Sequence, residues 1–185
     1  ASTYGVSKKA AYELCKYYRE VYNMWIACGF LHNHESPRRG EKFVTIKIAK
    51  AVAEFMNGRK EPLILGNVVA TRDWGYAPEY CTAMWLMLQH RKPDDFIIAT
   101  GETHSVLEYL EETLFLADIK DWTHLVQINA VPELRNQDVH YLRGNPEKAK
   151  TVLGWVPEVK FRRLVQILFD SQLKKLYDST STNVG

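Results

Sequence analysis

The sequence predicts an α/β fold with a largely parallel sheet. Short apolar runs alternate with amphipathic helical stretches along all 185 residues. Two of those runs, Trp25-Ile26-Ala27-Cys28-Gly29-Phe30 and Phe96-Ile97-Ile98-Ala99-Thr100, lack polar alternation and read as strands covered on both faces. A capping box, Ser105 with Glu108, opens a helix directly after the second run.

In chain order, a helix is expected over residues 6–22, then the strand at 25–30, then a polar loop. Val44, Ile48, Ala51, Val52 and Phe55 recur at helical spacing, so 43–59 is the next helix, stopped by Asn57-Gly58. Leu63-Ile64-Leu65-Gly66 is a short strand, and 67–73 reads as a connection. Pro78 suits the first turn of a helix whose buried face is Tyr80, Ala83, Met84, Met87 and Leu88, the methionines serving as core filler. The strand at 96–100 closes on Gly101, and Leu107, Leu110, Leu114 and Phe115 give the following helix its apolar side. Leu125-Val126-Gln127-Ile128 is one more strand, and Asn145-Pro146-Glu147 caps a short helix ending near Gly154. A last amphipathic helix spans 161–177, and 179–185 reads as a loose tail.

A chain of 185 residues fits one ordinary domain and can bury roughly 70% of the surface its unfolded form exposes. The 46% hydrophobic and 25% charged fractions are globular values, and no apolar run approaches a membrane span. Nothing at the amino end resembles a signal peptide, so a soluble cytoplasmic protein is expected. Because Ala1 is not a methionine, the natural polypeptide is expected to begin earlier. The net charge is +2 with the basic residues scattered, which argues against nucleic acid as a partner. Cys15, Cys28 and Cys81 have no paired metal spacing and read as reduced core residues. Only His32 and His34 lie close together among the six histidines, so no metal site is expected.

The polar loop Phe30-Leu31-His32-Asn33-His34-Glu35-Ser36-Pro37-Arg38-Arg39-Gly40 is the richest chemical stretch. It leaves the end of a strand, where open α/β sheets bind ligands, and Asn33, His34, Arg38 and Arg39 are the donors a phosphate-bearing ligand needs. On chemistry alone a solvated loop with two surface arginines fits equally well. Lys47 lies one turn after the loop, off the apolar stripe, and reads by itself as a solvated lysine. Tyr4 and Lys8, four positions apart, share a helix face, where an ammonium favours the ionised form of a neighbouring phenol and so a general base. Tyr12 with Lys16 repeats that spacing, so the pair alone does not identify a site. Arg135-Asn136-Gln137-Asp138 lies in a polar connection. No G-x-G-x-x-G turn occurs among the ten glycines, so the usual seat for a dinucleotide pyrophosphate is missing.

Four loci together resemble the GDP-mannose 4,6-dehydratases in order and spacing. They are Ser2-Thr3-Tyr4-x-x-x-Lys8, the loop from Asn33 to Gly40 with Phe43-Val44-Thr45, Arg72-Asp73-Trp74-Gly75, and Ala99-Thr100-Gly101-Glu102-x-His104-Ser105-Val106. The resemblance runs over nearly all of the chain but covers only the carboxyl-terminal half of that family. It implies the carboxyl-terminal part of an NAD(P)-binding Rossmann-type fold plus a smaller α/β substrate-binding domain. Residues 1–30 and 74–100 would be the remainder of the Rossmann-type domain, and 31–73 and 101–185 the nucleotide-sugar domain. It further implies NADP as cofactor, GDP-mannose as substrate and a homo-oligomer, dimer or tetramer. Tyr4 would be the base and Lys8 its partner at the nicotinamide ribose. His34 and Arg39 match positions that contact NADP; Asn33, Lys47, Arg72, Arg135 and Asp138 match positions that hold the GDP part.

The chain departs from the family at Thr3, where proline is usual, at Asn145, where aspartate is usual, and at Asp138, which keeps the family's carboxylate one methylene shorter. The glycine-rich cofactor loop and the threonine and glutamate that complete the family's catalytic set lie upstream of Tyr4, and Glu35 is embedded in the loop motif rather than standing in for that glutamate. The expectation is therefore an enzyme that needs its amino-terminal Rossmann half, this chain alone being inactive and poorly soluble or oligomeric. The alternatives are a non-catalytic nucleotide-sugar binding or oligomer-forming protein, or another epimerase or reductase of the same superfamily.

Overall fold

The computed structural model describes residues 2–128 and 141–181. Within them the order is α1 (Thr3–Val21), β1 (Cys28–Leu31), β2 (Asn33–Glu35), α2 (Val44–Met56), β3 (Leu63–Leu65), β4 (Thr71–Arg72), β5 (Trp74–Tyr76), α3 (Ala77–Gln89), β6 (Asp95–Ile98), β7 (His104–Ser105), α4 (Val106–Leu116), β8 (Val126–Ile128), α5 (Glu147–Leu153) and α6 (Phe161–Ser181). β1 pairs in parallel with β6, β2 with β5 and β3 with β8, while β4 and β7 are antiparallel. Strands alternating with helices and paired mostly in parallel are the predicted α/β class.

Two apolar clusters hold the elements together. The larger lies between α2, α4 and α6, where Ile46, Ile48, Val52, Leu110, Leu114, Leu164 and Leu168 are buried with Trp74 against Leu63, Leu65 and Val126. The smaller joins Tyr80, Ala83 and Met87 of α3 to Phe96 and Ile98 of β6, with Ala149 of α5 and Trp155. The capping box that starts α4 is present in full, Ser105 Oγ accepting from Glu108 N at 3.0 Å and Glu108 Oε2 from Ser105 N at 2.6 Å. Gly154 ends α5 in the left-handed region at φ 67°, a conformation that suits glycine.

Several local expectations are revised, one by a local cap and the others by tertiary packing. The first helix begins at Thr3 rather than residue 6, because Ser2 Oγ accepts from Gly5 N at 3.1 Å and caps it, which places Tyr4 inside the first turn. The run at 25–30 is strand only from Cys28, and Trp25 and Phe30 are 43% and 44% exposed. Among the described residues β1 has one neighbouring strand, β6, so it is not covered as a central parallel strand is. On α3 the buried stripe is Tyr80, Ala83 and Met87, which packs with Phe96 and Ile98 of β6, Ala149 of α5 and Trp155, while Met84 and Leu88 are exposed. Phe115 is likewise exposed, one residue round the helix from buried Leu114.

The stretch expected as loop supplies β2, and the supposed connection at 67–73 supplies β4. The expected tail is helical through Ser181. None of the three cysteines is fully buried: Cys15 and Cys28 are half-buried and Cys81 is exposed, all as free thiols. Burial pushes the Cys28 thiol up to about 11. No helix among the described residues is long and apolar enough to cross a membrane.

Candidate active site

Helix α1 carries the Tyr4–Lys8 pair, and its attachment to the sheet sets where that pair points. The helix buries no residue fully. It is held instead by a polar cluster at Asp95, the first residue of β6. Arg19 Nη1 and Nη2 donate to the two carboxylate oxygens at 2.7 and 3.1 Å, Tyr12 Oη donates to Oδ2 at 2.9 Å, and Arg19 Nη1 also reaches the Ile26 carbonyl at 3.2 Å. Further along β1 the Tyr12 ring meets Phe30 edge-on with centroids 5.0 Å apart. Arg19 thus sits at the start of the strands and Tyr12 nearer their ends, so α1 runs antiparallel to β1. Tyr4 lies eight residues, about 12 Å, beyond Tyr12 in the same direction. That is the carboxyl end of the parallel pair, where open α/β sheets bind ligands and where Asn33 and His34 follow Leu31.

The cluster at Asp95 makes a measurable demand. Arg19 first, then Tyr12, hold the Asp95 carboxyl below the usual carboxylate range against the opposing effect of burial. A depressed folded value means that the stabilisation is complete above the unfolded value near about 4 and is lost as the pH falls through the folded one. Both side chains are largely covered, 16% and 21% exposed, so Asp95→Asn should cost about 2–3 kcal/mol at pH 7, somewhat below the range for a fully buried pair. Denaturant unfolding of the chain joined to its upstream half checks this, and the deficit should shrink below about pH 4. An equal deficit at both pH values would remove the ion pair as its source.

Tyr4 is 70% exposed, with Lys8 Nζ 5.6 Å from its ring centroid. The second Tyr-x-x-x-Lys match separates from the first here. The Tyr12 hydroxyl is occupied by Asp95, and that hydrogen bond raises its pKa. Of these two tyrosines, Tyr4 is the one whose phenol is open.

Strand β2 displays Asn33 and His34, both half-buried, with Asn33 opposite Trp74 and His34 opposite Gly75 in the β2/β5 register. His34 Nδ1 lies 2.8 Å from the His32 carbonyl oxygen, and its ring stacks on Tyr80 with centroids 5.1 Å apart. A turn follows, closed by Arg39 N donating to Ser36 O at 2.9 Å. It folds Arg39 back so that its guanidinium lies 3.5 Å from the Phe43 ring centroid and Nε comes within 3.3 Å of Glu35 Oε2. That approach is an ion pair without hydrogen-bond alignment. Glu35, buried, accepts from Thr45 Oγ1 at 2.8 Å, and burial raises its carboxyl above the usual range while Thr45 and Arg39 oppose the shift. Glu35 is therefore a post beneath the loop rather than an open base.

Lys47 is exposed on α2 and donates to the Ile64 carbonyl at 2.6 Å. Arg72 on β4 is half-buried, opposite His104 in the β4/β7 register, with Nη1 donating to its neighbour's carbonyl at 2.8 Å. The structure thus brings Tyr4 to Lys8 on one helix and Asn33, His34 and Arg39 together around β2, while Lys47 and Arg72 stand on separate elements beside β3 and β7. Arg135 and Asp138 lie outside the described residues. Among the described residues no group of three or more histidine, cysteine or acidic side chains could hold a metal ion.

Sequence reading missed Asp73, which it took only as part of a motif. Asp73 is fully buried and accepts four hydrogen bonds. Oδ1 takes Thr100 N at 2.8 Å and Thr100 Oγ1 at 2.7 Å; Oδ2 takes Gly101 N at 3.0 Å and Gly144 N at 3.1 Å. One carboxylate thereby ties β5 to the turn after β6 and to the segment leading into α5. A Cβ at Gly144 would overlap Ala99 Cβ, which explains glycine at that approach. The available signal was an acidic residue immediately before an apolar strand, a place where a carboxylate needs donors from elsewhere.

This architecture, parallel strand pairs with helices packed against them, is part of a Rossmann-type α/β fold. Solved structures agree. An RMD from Pseudomonas aeruginosa complexed with NADPH superposes with TM-score 0.81 over 95% of this chain and 57% of that one, at 19% identity. A dTDP-glucose 4,6-dehydratase from Bacillus anthracis in complex with NAD gives 0.83 over 96% and 54%, at 17% identity. The chain belongs to the GDP-mannose 4,6 dehydratase family, whose sequence profile matches residues 1–168. GDP-mannose 4,6 dehydratase 1 of Arabidopsis thaliana is 44% identical over 173 residues, 94% of this chain and 47% of that protein. The GDP-mannose 4,6 dehydratase of Homo sapiens is 43% identical over 180 residues, 89% and 48% of the two chains. The chain therefore spans about half the length of the curated relatives it matches.

Proposed function

We propose that this chain is the carboxyl-terminal part of a GDP-mannose 4,6-dehydratase, an NADP-dependent lyase of the cytoplasm that converts GDP-mannose to GDP-4-keto-6-deoxymannose once the amino-terminal Rossmann half is present. The observation that carries the reading is the 44% identity to a protein of that name across 94% of the chain. What supports it is an exposed phenol with an ammonium 5.6 Å from its ring on the helix tied to β1 and β6, together with His34 and Arg39 on the strand and turn that follow β1. A phenol, an ammonium, an imidazole and a guanidinium suit the hydroxyls and phosphates of a nicotinamide dinucleotide.

In this reading Tyr4 takes the proton of the sugar C4 hydroxyl, and Lys8 supports the phenolate and holds the nicotinamide ribose. When bound, NADP supplies the oxidising power at C4 and the reducing equivalent that returns at C6 after water is lost across C5 and C6. His34 and Arg39 bind the cofactor. Asn33, Lys47, Arg72, Arg135 and Asp138 bind the GDP portion, amide and cationic donors facing the diphosphate and ribose and a carboxylate facing guanine's donor edge. The threonine and glutamate of the dehydration step belong to the upstream half. Residues 1–30 and 74–100 belong to the Rossmann-type domain and 31–73 and 101–185 to the nucleotide-sugar domain. The outward side of α1, with Tyr17, Tyr18, Val21 and Tyr22 exposed, supports assembly with a second copy. The same face is the observation that favours a second reading, a non-catalytic oligomer-forming protein.

Supplying the upstream half of a relative, fused or as a separate chain, should generate the 4-keto-6-deoxy product from GDP-mannose and NADP, detected by mass. The 185-residue chain alone should generate none. A folded, NADP-binding complete protein that leaves GDP-mannose intact would overturn the enzymatic reading in favour of the second.

A further inference from the structure

The environment of His34 is more closely determined than binding alone requires. His34 faces Gly75 across the β2/β5 register, and a Cβ at Gly75 would overlap the ring and hydroxyl of Tyr80. Tyr80, wholly buried, fills that space and stacks on the imidazole at 5.1 Å with the planes 29° apart. Trp155 meets Tyr80 edge-on at 5.7 Å and is itself fixed by its indole N–H donating to the Glu79 carbonyl at 2.9 Å. The imidazole is thus held on one face by Tyr80 and at one corner by the His32 carbonyl, 2.8 Å from Nδ1. A carbonyl oxygen only accepts, so in the neutral ring Nδ1 carries the proton and Nε2 keeps a lone pair.

We infer that Gly75 and Tyr80 are positioning residues that hold His34 with Nδ1 protonated, so that Nε2 accepts a hydrogen bond from a hydroxyl or carboxamide N–H of the cofactor instead of donating to one of its phosphates. The inference rests on the reading of His34 as a cofactor contact given above. The Tyr80 ring carries this role rather than its hydroxyl, which is buried without a hydrogen-bond partner.

The test uses the complete protein with histidine labelled with nitrogen-15, at a pH where His34 is neutral, and His34→Asn to assign its signals. The wild-type spectrum should show a protonated Nδ1 and an unprotonated Nε2, and Tyr80→Phe should keep both the tautomer and the NADP dissociation constant. Tyr80→Leu should give a mixture of tautomers and weaken NADP binding about tenfold, the effect of misorienting one good hydrogen bond. A change in folding stability alone would not move the tautomer. A wild-type ring protonated at Nε2 overturns the inference even if Tyr80→Leu fails to fold, and so does a Tyr80→Leu protein with unchanged tautomer and affinity. The correct tautomer with no NADP binding to the wild type overturns the ligand half of it. Inactivity towards GDP-mannose in a protein that binds NADP would instead remove only the enzymatic reading.

Discussion

Asp73→Ala is expected to destabilise the complete protein by about 3–5 kcal/mol, a large part of the 5–15 kcal/mol that holds a typical domain together. The cause is the set of donors left behind. Three backbone N–H groups and the Thr100 hydroxyl converge on this one carboxylate, and the side chain is fully buried, so water cannot replace it without opening the structure. Each buried donor left unsatisfied costs about 1–3 kcal/mol, and the four are not additive because the turn at Gly101 can relax. Asp73→Asn separates charge from geometry. An amide keeps one accepting oxygen for one pair of donors and turns an N–H₂ towards the other, so about half the penalty should remain. Urea unfolding of the three proteins measures this; a loss below about 1 kcal/mol for the alanine variant would mean that the four bonds contribute little.

Tyr4→Phe should lower kcat of the complete enzyme by about 10²–10⁴-fold, the usual contribution of a general base, while the KM for GDP-mannose stays within about threefold. The deleted oxygen is the atom assigned to the proton transfer, and Lys8 remains in place for the cofactor. The informative control is Tyr12→Phe. Tyr12 stands in the same spacing to Lys16, but its hydroxyl is bonded to Asp95, so its loss should cost about 1 kcal/mol of stability and leave kcat within about threefold. Equal kinetic effects at the two tyrosines would sink the assignment of Tyr4.

What the sequence determined by itself was whatever depends on neighbours within a turn or two. The capping box at Ser105 and Glu108, the apolar spacing along α2, the stop at Gly154 and the alternation of strand with helix all arise from interactions over a few positions, and all appear in the structure. The motif spacings that placed the chain in its family are equally local. The tertiary structure decided which side chains are covered and which chemistry is open. Asp73 meets partners 27 and 71 positions away and Tyr12 meets Asp95 across 83, so no local pattern distinguishes a carboxylate that ties distant segments together from one in solvent. The same distance effect bonded Tyr12 to Asp95 while leaving Tyr4 exposed, exposed Met84, Leu88 and Phe115, and turned a polar loop into a strand carrying His34. Local preference is set by short-range sterics and hydrogen bonding, whereas burial and the pairing of charges are set by segments that meet only when the chain has folded.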